Sequence, residues 1–326
     1  MKLRRRMFAP AAMLAAGAMV LAACGDAPDV DDDAADEPTD EETDEVADGE
    51  SWELVESSTA AMLAELGAAI ENEEPVVVTL WQPHWAYDRW DLKDLEDPEG
   101  ALGEAEEIHS VARAGFSEDH PEVAEWIGNF ELDGDQIAEI STLVLGVTDD
   151  ELESPHDDEV EAARAWAEDN ADVVEGWIGD DFGSDVGGGE EISFAYIAWD
   201  EAIAVTNLWN AILTDHGFDV SQEQADVAPT FDGVASGEWD LFLDMWLPAT
   251  HEDYQEQYGD DLEQLGIWFD EAALTWTVPA YLDEVDSIAD LAENRDMFGG
   301  QIIGIEPGAG LTRISVDEVM PAYGLD

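Results

Sequence analysis

The chain has 326 residues, of which 45% are hydrophobic, an ordinary share for a globular protein that is long enough for two lobes. Its charge is not ordinary, because 82 acidic residues stand against 10 basic ones and give a formal net charge of −72. This balance excludes nucleic acid as a partner, since phosphates need a basic patch. It predicts a halophilic protein whose self-repulsion is screened by salt.

Residues 1–24 have the composition of a signal peptide. A basic start, Lys2 to Arg6, precedes an apolar run from Met7 to Val20 that is too short to span a bilayer comfortably. The sequence LAAC at 21–24 resembles a bacterial lipobox, whose cysteine is lipidated; a secreted protein cut nearby is the alternative. Cys24 is the only cysteine, so no intramolecular disulfide can form. We therefore expect a lipid anchor at Cys24 on the extracytoplasmic face of the cell membrane.

Residues 25–50 are predicted to be an acidic, disordered tether. From Asp26 to Glu50, 14 of the 25 residues are Asp or Glu, and none is aromatic. Such a stretch cannot bury enough apolar surface to fold, and its like charges keep it extended.

Apolar periodicity begins at residue 51. Hydroxyl residues at 57–59 are suited to cap a helix that runs to Ile70. Residues 76–81 are β-branched or apolar, which is typical of a strand buried on both faces of a parallel sheet. This strand ends in WQPHW at 81–85, and in open α/β sheets ligands bind beyond the carboxyl ends of strands.

The middle of the chain has apolar residues at three- and four-residue spacing, which predicts helices. Trp126, Trp166 and Trp177 fall on these apolar stripes, so we expect them in the core. The predicted helices are Gly103–Gly115, Pro121–Phe130, Asp135–Leu145 and Asp157–Trp177.

Strands and helices alternate in the second half. Because this pattern is typical of parallel sheets with helices on both faces, it predicts an α/β fold. Helices are expected after Trp199, from Pro229 and after Gly310. The predicted strands are Ile192–Ala198, Asp219–Gln224, Trp239–Asp244, Leu274–Val278 and Gln301–Ile305.

Three tryptophans, Trp81, Trp199 and Trp246, lie at or just past the ends of predicted strands. If they converge, their π-faces form a box suited to a trimethylammonium group. The Gly-rich turn at 308–311 would present helix N-terminal amides to an anion, and His251 could bind the same anionic end. Core packing of Trp246 and a surface position for His251 are the alternative.

Two further residues are candidates for the pocket wall. Tyr281 and Trp85 follow predicted strands, although ordinary packing is the better-supported explanation of each. Enzyme chemistry has little support, because the six histidines form no metal-binding pair and there is no nucleophile elbow. Acid pairs such as Asp200-Glu201 are expected on a solvated face. We therefore expect neither a cofactor, a metal nor a catalytic residue.

Six segments carry a resemblance to a known family. They closely resemble the glycine betaine-binding proteins of ABC transporters, which are osmoprotectant receptors, and they extend over nearly the whole body from Ser51 to Asp326. The segments are WQPHW (81–85), DLKDLEDPEGALGEAEEIH (91–109), AYIAWDEAIAVTN (195–207), DMWLPATH (244–251), TVPAYL (277–282) and IIGIEPGAG (302–310).

The resemblance implies a two-lobed type II periplasmic-binding-protein fold, with a hinge and a ligand cleft between the lobes. It implies a prism of Trp81, Trp199 and Trp246 around the quaternary ammonium group.

For the carboxylate of the ligand, the resemblance implies binding by the backbone amides of Gly310 and Leu311 and by His251. Leu311 stands where relatives often have Ile, which does no harm if the contact is its amide.

The order of the segments departs from the family. Here the chain opens before WQPHW and closes just after IEPGAG, which looks like a circular permutation; a break in the reading frame is the alternative. A permuted chain places Asp326 near Ser51 or Trp52. Lobe I would then comprise residues 51–104 plus 283–326, and lobe II residues 105–282.

These expectations add up to a monomeric receptor that binds glycine betaine or a close analogue and delivers it to an ABC permease. A choline or carnitine receptor is the nearest alternative. A tethered hydrolase of quaternary amines is the alternative from a different class.

Overall fold

The computed structural model describes residues 51–147 and 158–326 of the protein. Within these ranges nine strands form one sheet. Their bounds are β1 Glu53–Val55, β2 Val78–Gln82, β3 Leu92–Asp94, β4 Glu106–Arg113, β5 Glu191–Tyr196, β6 Asp219–Gln224, β7 Leu241–Leu247, β8 Leu262–Pro279 and β9 Gln301–Ile303.

The helices of the same ranges are mostly short, and none is both long and apolar enough to traverse a lipid bilayer. A π-helical turn, Ser315–Val319, joins the last two. The helices are α1 Thr59–Asn72, α2 Ala86–Arg89, α3 Phe116–Asp119, α4 Pro121–Gly128, α5 Gly134–Val144, α6 Glu159–Asp169, α7 Ala171–Ile178, α8 Asp200–Asp215, α9 Val227–Ser236, α10 Glu252–Tyr258, α11 Gly310–Ile314 and α12 Met320–Ala322.

The sheet is mixed rather than wholly parallel. Its strand order is β1-β9-β2-β8-β4-β7-β5-β6, with β3 paired to β8. Strand β9 runs parallel to β1 and β2, and β5 runs parallel to β6 and β7. Strand β8 is antiparallel to β2, β3 and β4, and β4 is antiparallel to β7. The prediction of parallel pairing throughout is therefore wrong around β8 and β4.

Strand β8 extends through the whole sheet. Its first part, 262–272, pairs with β4, and its last part, 273–279, pairs with β2 and β3. It therefore joins a first strand group (β1, β9, β2 and β3) to a second strand group (β4, β7, β5 and β6). The lobe boundaries expected after residues 104 and 282 stay predictions.

Helix α1 begins where the sequence predicts. The side chain of Ser58 accepts a hydrogen bond from the amide of Ala61 at 3.3 Å, which satisfies one free donor at the helix start. Met62, Leu63 and Leu66 lie on its buried side. The structure therefore confirms the helix that the apolar stripe of this segment predicts.

Large aromatic side chains fill the core. Trp126, Trp166 and Trp177 are 2%, 2% and 5% exposed, which confirms their predicted core positions. The ring of Phe130 lies edge-on to Trp177 and Trp209, with centroid distances of 4.9 and 5.5 Å. Edge-to-face pairs of this kind add specific geometry to the burial of apolar area.

The predicted helix at Gly103–Gly115 is wrong, because these residues contain strand β4. This strand pairs with β7 on one side and β8 on the other. Ile108, Val111 and Ala112 are fully buried, and even Ser110 has no exposure. A strand buried on both faces has no polar face to alternate with its apolar one, so the sequence lacks the period of two that identifies a strand.

The predicted helix Asp157–Trp177 is two helices rather than one. Helix α6 ends at Asp169 and α7 begins at Ala171. Between them Asn170 turns the backbone, and its side-chain amide donates to the carbonyl of Trp166 at 3.0 Å. Asn side chains compete with helix hydrogen bonds in this way. The predicted signal peptide, the predicted acidic tether and Cys24 lie outside the described residues.

The two ends of the described body meet. The amide of Trp52 donates to the carbonyl of Leu325 at 2.9 Å. This contact brings residues 51–52 next to the end of the chain, as the permuted order requires. The permutation itself stays a prediction, because it concerns the order of segments in relatives.

Candidate functional site

Three tryptophans from three different elements line one cavity. Trp81 is the fourth residue of β2, Trp199 is the N-cap residue of α8, and Trp246 is the sixth residue of β7. Their exposed fractions are 3%, 5% and 3%. We call these three rings the cage. The structure thus brings together the tryptophans that the sequence places at strand ends.

The cavity of the cage is small and mainly apolar. It measures about 290 Å³ with its mouth included. Glu201 is the one charged residue in its wall. The wall is completed by Glu201, Thr250, Leu274, Ile305, Ala309, Gly310 and Leu311.

A larger cleft lies elsewhere and has a different character. It measures about 1860 Å³ by the same measure, is open to solvent, and no ring of the cage reaches it. Acidic side chains crowd its wall, and water with dissolved cations can satisfy them without a specific ligand. We therefore locate the candidate site at the cage. The acidic residues of the cleft are Asp88, Glu107, Glu131, Asp133, Asp135, Asp270 and Glu271.

Carboxylates accept two of the three indole N–H groups of the cage. Trp199 donates to Glu306 at 2.5 Å, and Trp246 donates to Asp244 at 3.0 Å. The indole of Trp81 lies close enough to Glu201 to lower the pKa of that carboxyl. Trp199 and Trp246 are thereby oriented by their polar edges, while their π-faces are left for other contacts.

Two of these carboxyl groups are buried without a positive neighbour to offset their charge in full. Burial raises the pKa of Glu201 well above its usual value, and the charge of Asp244 raises it further. Burial also raises the pKa of Asp244, against the stabilising bond from Trp246. A raised pKa favours the protonated, neutral form of each carboxyl, so the negative charge behind the cage depends on pH and on what neighbours the pair.

His251 lies against the cage, and its surroundings determine which ring nitrogen carries the proton. It is fully buried and stacks on Trp199, with the ring centroids 5.6 Å apart and the planes 14° apart. Its Nδ1 accepts the amide of Trp246 at 2.8 Å. Burial lowers its pKa to about 3, helped by the charge of Arg313. The neutral ring therefore carries its proton on Nε2, which finds no acceptor among the described residues.

The first turn of α11 completes the wall. Gly310 and Leu311 are its first residues, so their amides have no acceptor within the helix. A side chain on Gly310 would collide with the carbonyl oxygen of Thr250, and only glycine allows this close approach. The turn thus holds backbone donors beside the loop that carries His251.

The two accessory candidates lie outside the cavity wall. Tyr281 is 40% exposed, and its hydroxyl donates to the carbonyls of Ala69 and Glu74 at 3.2 and 2.7 Å. Trp85 is buried, and its indole donates to the carboxylate of Asp200. The structure therefore does not bring Tyr281 to the cage, and it places Trp85 behind it.

The expectation that Asp200 and Glu201 lie on a solvated face is wrong. They are 8% and 2% exposed, because α8 begins directly behind the cage and is buried along most of its length. Sequence reasoning missed Glu201, since acidic pairs are common in so acidic a chain. The signal available was its place between a strand-end tryptophan and an apolar helix.

Residues 38–169 and 190–326 match the sequence model of a family described as the substrate binding domain of ABC-type glycine betaine transport systems. The chain belongs to this family. The match covers most of the described residues and confirms the resemblance found in the sequence.

Two relatives extend this comparison. The glycine betaine/carnitine transport binding protein GbuC of Listeria monocytogenes serotype 1/2a (strain 10403S) is 34% identical over 248 residues, which are 76% of this chain and 79% of that protein. An uncharacterized protein, ORF1, of Chromohalobacter salexigens is 31% identical over 121 residues, which are 36% of this chain and 77% of that protein.

Family membership confirms the predicted α/β fold of the type II periplasmic-binding-protein class, here with a mixed sheet. It also assigns the chain to the extracytoplasmic substrate-binding proteins of ABC importers, which are transport proteins rather than enzymes.

Proposed function

We propose that this binding protein captures glycine betaine, or a related trimethylammonium osmolyte, in the cage and delivers it to an ABC permease. One observation carries the proposal: three tryptophans from separate elements line one small cavity beside the first turn of α11. The name of the Listeria relative, a glycine betaine/carnitine transport binding protein, supports the same class of ligand.

The cage suits the ammonium end of such a ligand. A trimethylammonium group has no N–H to donate, so ring faces recognise it better than directional acceptors do. Each cation–π contact is worth roughly 0.5 to 2 kcal/mol. Three such contacts, with hydrogen bonds to the other end of the ligand, suffice for the roughly 8 kcal/mol of a micromolar Kd.

The carboxylate end would meet donors only. His251 holds a proton on Nε2, and Gly310 and Leu311 carry free amides at a helix start. Charge-assisted hydrogen bonds from such groups are stronger than neutral ones. Choline has no carboxylate and would leave these donors unmatched, whereas carnitine has one.

Transport requires that the ligand favour one conformation. Arg313, which follows β9 of the first strand group, donates to the carbonyl of Ala249, which follows β7 of the second group, at 3.1 Å. Trp199 and Glu306 join the same two groups. A ligand that contacts both groups adds to these bonds and stabilises the closed form that a permease recognises.

Attachment to the membrane is part of the proposal. The lipobox-like sequence LAAC at 21–24 supports lipidation of Cys24, and the acidic tether would hold the monomeric receptor away from the surface. Metabolic labelling with palmitate tests this. We expect label on the full chain, and none on Cys24→Ala; label that persists in the variant contradicts the anchor.

Isothermal titration calorimetry in high salt tests the ligand. We expect saturable, micromolar binding of glycine betaine and weaker binding of choline. The affinities for carnitine and proline betaine should lie between these two or close to one of them. Trp246→Leu should abolish this binding, whereas Trp239→Leu, at a half-buried tryptophan outside the cavity wall, should preserve it. Absence of saturable binding for all four ligands would refute the proposal.

The alternative of a hydrolase is separated by product analysis. A receptor returns its ligand unchanged after incubation, whereas a hydrolase releases a new amine or acid. The mainly apolar cavity wall, with Glu201 as its one ionisable side chain, favours the receptor.

A further inference from the structure

Glu201 is an unusual residue for an apolar wall. It is 2% exposed and belongs to the lining of the cage cavity. Its Oε2 atom finds no hydrogen-bond partner among the described residues. A buried carboxylate without such a partner is costly, so a fold retains one where another group offsets the cost.

A second carboxylate stands behind the first. Asp244 is 1% exposed; its Oδ1 accepts the indole N–H of Trp246, and its Oδ2 likewise has no partner in the described part of the chain. The two carboxyl groups come from different elements, α8 and β7, and they interact electrostatically. Because two like charges at one buried place repel each other, the pair favours protonation until a cation is near.

We infer that Glu201 is a specificity-determining residue of the cage: its buried carboxylate, supported by Asp244, supplies the counter-charge for cationic ammonium head groups and rejects uncharged groups of the same shape. The inference rests on the proposed function.

A charged group at the cage adds a selectivity that the tryptophan rings lack. Aromatic faces attract a cation but also accept any apolar group of similar size, so three tryptophans alone discriminate weakly between a trimethylammonium and a tert-butyl group. A carboxyl group at the same cavity favours the first over the second, because a cation compensates the ionised carboxylate, whereas an uncharged ligand leaves the carboxyl protonated or its charge uncompensated.

Glycine betaine and 3,3-dimethylbutyrate provide the test, because they share one shape and one carboxylate and differ only in the charge of the head group. We expect the wild-type protein to prefer glycine betaine by at least about 100-fold. In Glu201→Gln this preference should shrink by about 10- to 100-fold. The matched control is Glu223→Gln, which removes one exposed charge on β6 and should leave the preference unchanged.

A pH profile separates recognition from a structural role. A bound cation favours the ionised form of the carboxyl pair, so binding should release protons, and affinity should rise as the pH approaches about 7, the value to which burial raises the pKa of Asp244. Proton release, measured by calorimetry in two buffers of different ionisation enthalpy, should be smaller in Glu201→Gln. The ionisable groups facing this pair from the surrounding elements are Asp200, Glu306, His84, His251 and Arg313.

The outcomes are distinct. Equal loss of affinity for both ligands in Glu201→Gln, or an unchanged preference, would overturn the inference while the wild-type result still supports the betaine receptor. Absence of glycine betaine binding by the wild type would overturn both. If Glu201→Gln does not fold, Asp244→Asn provides a second test, because its amide oxygen can still accept the indole N–H of Trp246. Its preference for glycine betaine should shrink in the same direction, by less than in Glu201→Gln.

Discussion

Carboxylates occur in two very different settings in this protein. Surface acids such as Glu65, Glu71 and Glu223 are exposed on helices and strands, and they belong to a total of 82 acidic residues. A few others, Glu106 and Glu201 among them, are almost fully buried. The same chemical group therefore meets high-dielectric solvent in one place and the protein interior in the other.

The difference teaches how each setting acts. Exposed charges are screened by water and salt, so one of them has little effect alone, although many of one sign repel each other. A buried carboxylate has a few fixed partners and acts through them. Surface acids should therefore matter by their number, and buried acids by their position.

The largest expected effect concerns the surface acids as a group. Removal of salt lengthens the range of their repulsion, so we expect the protein to unfold or its Tm to fall by about 10 °C or more between molar salt and 10 mM salt. Circular dichroism during dialysis measures this. A Tm independent of salt would contradict the prediction that the protein is halophilic.

A single buried acid comes next. Glu106 accepts the amides of Ala249 and Thr250 at 2.7 and 2.9 Å, and also the hydroxyl of Thr250. Glu106→Ala leaves these donors unsatisfied and should lower the free energy of unfolding by about 3 kcal/mol or more. Urea denaturation measures it, with exposed Glu104→Ala as the matched control that should stay within about 0.5 kcal/mol of wild type. Similar losses in the two variants would show that a buried carboxylate and an exposed one contribute alike to stability.

The third prediction separates the two ends of the ligand. His251→Ala removes the Nε2 donor, so affinity for glycine betaine should fall by about 10- to 100-fold, the cost of a charge-assisted hydrogen bond. Choline has no carboxylate and should lose less than about 3-fold. Calorimetric titration of both ligands measures the split. Equal losses would show that His251 only supports Trp199, on which it stacks.

The smallest effect tests the cost of burying charge. Burial raises the pKa of Asp200 from 3.8 to about 6, so the neutral form is favoured by folding. The contribution of the neutral carboxyl to the free energy of unfolding is fully present below the pKa of the unfolded state, and it is lost as the pH rises through about 6. Asp200→Asn should therefore stabilise the free protein by about 1 to 3 kcal/mol at pH 7.5, and by less at pH 4.5.

Thermal melts at the two pH values measure this gain. The amide keeps an acceptor for the indole of Trp85, so packing is preserved. A gain of equal size at both pH values would point to packing rather than charge.

Strand ends were the part of the site that the sequence predicted best. The positions of Trp81, Trp199 and Trp246 could be predicted because a run of apolar residues indicates a strand. Residues at or just past the end of that strand then lie at the edge of the sheet. The order of α8, β6 and α9 followed from the same periodicity, with helix starts displaced by only a residue or two.

Long-range pairing set the limit of prediction. Strand β4 and the first part of β8 pair with each other, and neither shows a clean period of two, because their faces are buried or bulged. The burial of Glu201 and Asp244 was equally hidden, since a local sequence does not reveal which acid lies behind a ring from another element. Such contacts depend on the assembled sheet rather than on neighbours in the chain.

The hydrogen bond between Trp52 and Leu325 has a topological consequence. A folded body whose first and last described residues lie one hydrogen bond apart can be closed into a ring by a short linker, and a ring has no fixed starting point. Its segments can then be opened at another exposed loop without changing which strands are neighbours. Such a change would alter the order of the segments along the chain and leave their neighbours in the sheet the same.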